Sequence, residues 1–491
     1  MARPSIQEIP SVLSPEALGE RLQGQPGLVV LRSSLFESAQ ARYSFVAARP
    51  FLTFRSAGSR CEVRAGRSLR VQFGNPWRLL DELMARYELL DELDLPLPLG
   101  GCFGYWGYEL KNFVEPRLSR RAPNDLEWPD CQVGFYGSLV AFDHRLGKAW
   151  IVATGFGADG SRSAECARRQ TGFWNRALNG TGLGARPGVS PRRNPDVGTS
   201  PLAISSTLSR AEFIARVQRA QAYIRSGDIY QVNLSHRLTV PWGASGWELF
   251  QRLSAVSPAP FSAFLDCGNF QIASSSPELF LRMSGREVQT RPIKGTRPRA
   301  ADSIRDAQLA YELQTSSKEL AELVMITDLL RNDLGRVCEF GSVQVPDLAR
   351  LERFAQVQHL VSTVEGRLRP EQSHLGALAA CFPGGSITGA PKIRAMELID
   401  ELEPTARGPY TGALGYVGFN RETQLSILIR AAVCRAGRAH FNVGAGIVAD
   451  SDAEAEYEET LAKARGFFEA LRLSPQAQPA APGKTVPATS V

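Results

Sequence analysis

Arg291-Pro292-Ile293-Lys294-Gly295-Thr296-Arg297-Pro298-Arg299 follows a short strand-like run, Val288-Gln289-Thr290, that begins after a turn at Gly285. Pro292 and Pro298 exclude a helix here, and Gly295 allows the backbone to turn or to approach a ligand closely. One lysine therefore projects from a stiff, non-helical segment between two apolar-rich blocks. An amine attacks carbon only when it is neutral, so a lysine with that task is expected to be buried. On the segment alone, a solvated loop rich in Arg and Lys is the plainer reading.

The other blocks are those of a globular protein. The 491 residues exceed one ordinary domain, and 43% hydrophobic with 22% charged residues is a soluble composition. Fifty-six basic against 50 acidic residues leave a net charge of +6, with no long basic run to suggest nucleic-acid binding. The eight cysteines are scattered without a CxxC pair, so neither a zinc site nor a disulfide framework is indicated, and a reducing cytosol is expected. The first residues lack an apolar stretch of signal-peptide type, and no run approaches a membrane span. A cytoplasmic location is the expectation.

Three regions and a tail follow from the pattern. Residues 1–180 alternate short β-type runs with polar turns. They include single strands expected at Gly134 to Phe142 and Lys148 to Thr154, and a helix from Trp77 to Tyr87. Residues 181–201, rich in Gly, Pro, Arg, Asn and Ser, read as a linker or surface loop between bodies that can still pack together. Residues 202–473 open with a capping box, Ser209 with Glu212, on a helix stopped near Gly227. Helices are further expected at Lys318 to Asn332, Lys392 to Leu402 and Asp452 to Leu471, and strands near 412–418, 425–434 and 439–448. Residues 474–491 read as a disordered tail. The fold class expected is α+β, with large antiparallel sheets packed as a sandwich and helices outside.

Several polar residues stand where the pattern does not need them. Glu319 and Glu322 share a helix face, as do Glu456, Glu459 and Lys463. They make either a solvated acidic surface or carboxylates converging on a hard divalent cation. Pro383 to Lys392 and Gly444-Ala445-Gly446 are glycine-rich enough to present backbone N–H groups to an oxyanion, though a plain turn explains the first equally well. Arg430 interrupts the apolar run 425–432, read here as one strand, and there needs a buried acid or a ligand carboxylate. His359 interrupts Val357 to Val361 as either a core or a catalytic residue.

Taken in order, Arg42-Tyr43-Ser44, Ser276-Pro277-Glu278, Pro292 to Thr296, Asp328 to Asp333, His359 to Ser362, Pro383 to Lys392, Arg407 to Tyr410 and Glu456 to Thr460 resemble the chorismate-utilising enzymes. That family holds the anthranilate and aminodeoxychorismate synthases, component I, and the isochorismate and salicylate synthases. The resemblance implies a Mg²⁺ cofactor on Glu322 and Glu459, with Glu456 acting through water, and chorismate as substrate. It implies that Tyr410, Arg430 and the backbone of Gly444, Ala445 and Gly446 hold the enolpyruvyl carboxylate. Lys463 and Thr296 join them as substrate contacts. It gives Glu278 the role of general acid at the C4 hydroxyl and His359 a supporting place beside the ring.

Within the family, Lys294 resembles the lysine of the aminodeoxychorismate synthases, where anthranilate synthases usually carry alanine. There it attacks C2 of chorismate, and ammonia then adds at C4. Isochorismate and salicylate synthases use an earlier lysine as base, and the corresponding segment here carries Gln231. No Gly-x-Cys-x-Gly-x-Gln elbow is present, so ammonia is expected from solution or from a separate glutamine amidotransferase subunit. The product would serve 4-aminobenzoate and folate synthesis. The resemblance also implies a tryptophan pocket around Ser38, Tyr43 and Ser44, regulatory or simply structural. Anthranilate synthesis, or non-catalytic binding of chorismate or tryptophan, stay open as alternatives.

Overall fold

The computed structural model describes residues 3–10, 13–33, 41–89, 95–181, 204–353 and 357–473. The segment 182–203, the tail 474–491 and Ser38 lie outside the described residues.

Two antiparallel sheets of twelve strands each form the body. The first runs from Ser5–Ile9 through Lys148–Ala153, Ser138–Asp143, Tyr43–Ala47, Val29–Arg32, Phe261–Asp266, Gln271–Ser276, Ala431–Arg435 and Arg438–Ile447 to Gln231–Pro241 and Ser205–Ser206. The second runs from Ile293–Pro298 through Val357–Arg367, Glu287–Arg291, Leu279–Ser284, Glu422–Ile427, Ala413–Gly418, Gly101–Trp106 and Cys131–Tyr136 to the strands at 52–73. Both sheets therefore mix strands from either side of residues 182–203. Phe45 and Ala263 of the first sheet and Phe54, Phe103 and Leu425 of the second belong to one buried cluster between the layers. Trp174, Trp247, Phe250 and Phe467 cover the outer face of the first sheet with helices.

Helix ends are set by local chemistry. Both halves of the Ser209–Glu212 capping box form at the head of Arg210–Arg225. Ser316 caps Ser317–Gly335 through Glu319 N, and Asp452 caps Ala453–Ala470 through Ala455 N. Along Ser317–Gly335, Leu323 and Leu330 are buried, whereas Val324 is exposed. Helices at Pro15–Arg21, Ala164–Asn179, Gly246–Val256, Ser303–Gln314 and His374–Cys381 were not expected, although Ser14, Ser163 and Ser245 cap the first three.

Three places where the chain leaves one sheet for the other correct the strand expectations and position the site. The run 134–142 is not one strand. It breaks at Gly137, with Cys131–Tyr136 in the second sheet and Ser138–Asp143 in the first. The run 425–434 breaks likewise. Glu422–Ile427 belongs to the second sheet and Ala431–Arg435 to the first, so Arg430 sits in the crossing with φ +48° rather than inside a strand. Beside it, Ser276-Pro277-Glu278 carries the chain back from the first sheet to the second. The crossings are laced together by Ser275 N to Arg430 O (3.0 Å), Ile427 N to Glu278 O (3.1 Å) and Ser276 Oγ to Ile427 O (2.6 Å). Apolar periodicity is continuous through such a crossing because both layers are buried, which is why the sequence shows no break.

Candidate active site

Lys294 lies on the edge strand Ile293–Pro298, which pairs only with Val357–Arg367. The register slips between Lys294 and Thr296, where Gly295 has φ +65°. A Cβ at Gly295 would come within 2.6 Å of Leu313 Cδ1 and 3.1 Å of Glu319 Oε2, so glycine is required on both grounds. Lys294 Nζ stands 3.6 Å from Glu322 Oε2, and its side chain is half-buried, 16% exposed. It lies 3.9 Å from where a Cβ on Gly446 would be, and it acts electrostatically on Glu278 and Glu459. Its near charged neighbours are therefore carboxylates.

Glu278, 7% exposed, is the acid facing that amine. Burial pushes its carboxyl up to about 7, against the opposing pull of a hydrogen bond with Ser386, the Lys294 charge and the Ile293 backbone. It is thus partly protonated near neutral pH, as a general acid must be. Ser386 belongs to the glycine-rich loop, and that loop does more bracing than open cradling. Ile387 O accepts from Arg407, Thr388 O accepts from Asn233 N, and Gly389–Ala390 pairs with Gln231–Val232.

His359 pairs across the strand with Thr296, their Nδ1 and Oγ1 2.9 Å apart, while Gly295 O lies 3.2 Å from the same nitrogen. A carbonyl can only accept, which places the ring proton on Nδ1. Burial drives the imidazole down to about 4, so it is neutral at pH 7. Arg430, whose charge acts on that ring, is lowered by burial. No ion pair holds it among the described residues. A half-buried guanidinium at a sheet crossing suits a ligand carboxylate.

The other clamp elements converge on one strand. Ser235 N donates to Glu403 Oε1 (2.8 Å) and Asn233 N to Thr388 O (2.8 Å), so neither bonds its cross-strand partner, Gly444 or Gly446. By the alternation of an antiparallel ladder, the N–H groups of Gly444 and Gly446 then face away from that partner. On that side the neighbouring strand has ended, since Ala431–Arg435 pairs only as far as Phe441. Lys463 Nζ donates to Gly444 O at 2.8 Å and pairs with Glu459 at 2.7 Å. A Cβ on Gly444 would approach the Tyr410 hydroxyl to 3.1 Å, which places the phenol beside these amides. That hydroxyl lies near the Asn233 side chain, and burial pushes it up to about 12.

Beneath Tyr410 a buried ion pair fixes the turn. Arg407, 3% exposed, donates to Glu403 at 2.9 and 2.6 Å, to Ile387 O at 3.0 Å and to Asn233 O at 2.7 Å. Its Cζ lies 4.8 Å from the centre of the Tyr108 ring. Sequence reading noted Arg407 only as part of a motif and missed Glu403, although the i,i+4 spacing was visible. It also missed Ser386, Asn233 and Lys318.

The three acidic candidates gather around lysines. Glu456, 5% exposed, accepts from Ser451 Oγ (2.7 Å), and its Oε2 is buried with no partner among the described residues. Burial raises its carboxyl, and the charge of Glu459 adds to this. Burial also pushes Glu459 up, but Lys463, Lys318 and Lys294 outweigh it and hold it below the usual range. Among the described residues no three such side chains stand close enough to enclose a metal by themselves. The donors are nonetheless hard carboxylate oxygens, one of them an orphan, and so fit a Mg²⁺ completed by water and an anionic substrate.

In the first half, Tyr43 lines a narrow cavity between the sheets with Leu31, Pro260, Ser262, Tyr416 and Gln424. Ser44 Oγ instead accepts from Ser33 N at 3.0 Å and lies 2.6 Å from His144 Nε2.

Similarity to known proteins extends over most of the chain. The chorismate binding enzyme family model matches residues 32–469. Aminodeoxychorismate synthase component 1 of Klebsiella aerogenes is 38% identical, over 92% of this chain and 95% of that protein. Anthranilate synthase component 1 of Thermus thermophilus is 40% identical, over 90% and 92%. The crystal structure of anthranilate synthase component I from Streptococcus pneumoniae superposes with a TM-score of 0.74 at 32% identity, covering 92% of this chain and 97% of that one. The chain belongs to the chorismate binding enzyme family.

Proposed function

We propose that this site aminates chorismate at C4, giving 4-amino-4-deoxychorismate, through a covalent bond from Lys294 to C2. The observation that carries the reading is the amine of Lys294 placed among Glu278, Glu322 and the open strand at Gly446. Tyr410, Arg430 and the Gly444 and Gly446 N–H groups bind the enolpyruvyl carboxylate, and Lys463 adds positive charge beside it. The Lys294 amine attacks C2, the ring double bonds shift, and the C4 hydroxyl leaves as water with a proton from Glu278. Ammonia then adds at C4 and expels the lysine, whose nitrogen recovers the proton given up on attack. Neutral His359 supports the ring edge without adding charge. Glu322 and Glu459, with Glu456, would hold Mg²⁺, and the bound ion would supply positive charge to neutralise the ring carboxylate. A separate glutamine amidotransferase subunit supplies the ammonia, and a lyase consumes the product to form 4-aminobenzoate for folate synthesis.

Two outcomes test this. Chorismate consumption by the purified chain with ammonium is expected to need Mg²⁺ and to fall to background after chelation. An unchanged rate in excess chelator contradicts the metal assignment. At constant free-ammonia concentration, kcat/KM is expected to fall as pH rises through about 7, because the productive Glu278 is the protonated one. Glu278→Gln flattens that limb and lowers the rate by about 10²-fold or more. A limb that persists in the variant assigns it to another group.

The 40% identity to an anthranilate synthase favours anthranilate as the second reading. Lys294 separates the two, since in anthranilate formation ammonia itself adds at C2 and no enzyme amine is bonded there.

A further inference from the structure

The segment Gly107-Tyr108-Glu109 belongs to the first half of the chain, yet it grips the Arg407–Tyr410 turn. Tyr108 N donates to Gly408 O at 2.8 Å, and Arg407 N donates to Glu109 Oε1 at 3.0 Å. The grip is close, since a Cβ on Gly107 would lie 3.0 Å from Gly408 O. The other carboxylate oxygen, Glu109 Oε2, is buried and has no partner among the described residues, and neither has the Tyr108 hydroxyl. A carboxyl buried beside Asp130, 7% exposed, is a costly choice for simply closing a turn. Lys111, 1% exposed, offsets part of that charge but is itself paired with Asp400 at 3.2 Å. Burial, with Asp130 adding, pushes Glu109 up to about 7.

From this arrangement, which rests on the chorismate reading above, we infer that Glu109 is a positioning residue for the enolpyruvyl-carboxylate clamp. It touches no substrate. It fixes the main chain at Arg407, and the Gly408–Pro409 turn then fixes where the Tyr410 hydroxyl meets Asn233 and the Gly444 amide. The Arg407 side chain is already held by Glu403, so the carboxylate of Glu109 acts on the backbone alone. Without it, Arg407 N–H is left buried and unpaired, and the turn is free to shift by the small distance that misaligns the phenol.

The test compares Glu109→Ala and Glu109→Gln, each in the otherwise unchanged chain and in the Lys294→Ala background. In the second background chorismate affinity is measured by calorimetry with Mg²⁺ and no amination. The amide of Glu109→Gln keeps the Oε1 acceptor for Arg407 N. Glu109→Ala is expected to raise KM and the calorimetric Kd together by about tenfold, with kcat within about threefold, and Glu109→Gln to restore both. If Glu109→Ala does not fold, Glu109→Asp, which draws the carboxyl back by one methylene, carries the same comparison. An unchanged Kd overturns the inference, as does a loss confined to kcat or one that Glu109→Gln fails to restore. The calorimetric arm separates the two claims. If the chain binds chorismate but does not aminate it, the reading of the reaction fails while the Kd comparison still decides the role of Glu109.

Discussion

Lys294→Ala is expected to lower formation of 4-amino-4-deoxychorismate by roughly 10⁴-fold or more, the scale on which removal of a covalent nucleophile costs an enzyme. Chorismate affinity should change by less than about tenfold, because the carboxylate clamp does not include this residue. The amine lies at the bulge of an edge strand, aimed across the site at Gly446 and flanked by Glu322 and Glu278. An alanine there keeps the bulge and Gly295, so the loss reads chemistry rather than folding. The check is product by mass spectrometry, together with the intact protein incubated with chorismate, Mg²⁺ and no ammonium. The unmutated chain should gain the mass of chorismate less one water on a peptide containing Lys294, and the variant should gain nothing. A variant that retains a tenth of the amination rate excludes the covalent route.

The second large effect is on stability. Glu403→Ala is expected to destabilise the fold by about 3–5 kcal/mol, since it leaves the fully enclosed Arg407 guanidinium without its carboxylate. Burial alone would lower the Arg407 guanidinium, and the Glu403 charge reverses this and holds it above its ordinary value. Glu403 also accepts from Ser235 N and Oγ, so the change orphans donors on the clamp strand as well. Replacing both partners, Glu403→Leu with Arg407→Met, should recover part of the loss, because the costly state is one buried charge without the other. Urea unfolding of the single and double variants checks this. A single variant within about 1 kcal/mol of the unmutated chain would show that water reaches the pair.

The chemistry-bearing residues were largely legible in the sequence, and the architecture only partly so. Lys294 and Gly295 are readable because proline and glycine punctuate their segment, and Glu278 through the resemblance carried by Ser276-Pro277-Glu278. Helices with caps and stripes, such as Arg210–Arg225 and Ala453–Ala470, were equally plain. Arg430 was singled out for its charge but misplaced, since apolar residues flank the crossing on both sides and its charge reads as an interruption within one strand. The helix Ser303–Gln314 has no sharp stripe and was invisible. Glu109 could not be found from spacing, because its partner is a backbone group about 300 residues away in the chain, and for Glu403 spacing shows the Arg407 pair but not the contact with Ser235 about 170 residues away. Residues in such long-range polar contacts carry no periodic signature.

The measurement that tests the central claim most directly is the identity of the product from the purified chain with chorismate, Mg²⁺ and an ammonium salt. It is read by mass and by fluorescence, before and after addition of an aminodeoxychorismate lyase. The account predicts 4-amino-4-deoxychorismate before the lyase is added and 4-aminobenzoate only afterwards, with neither formed by Lys294→Ala. Anthranilate released directly by the unmutated chain would contradict it.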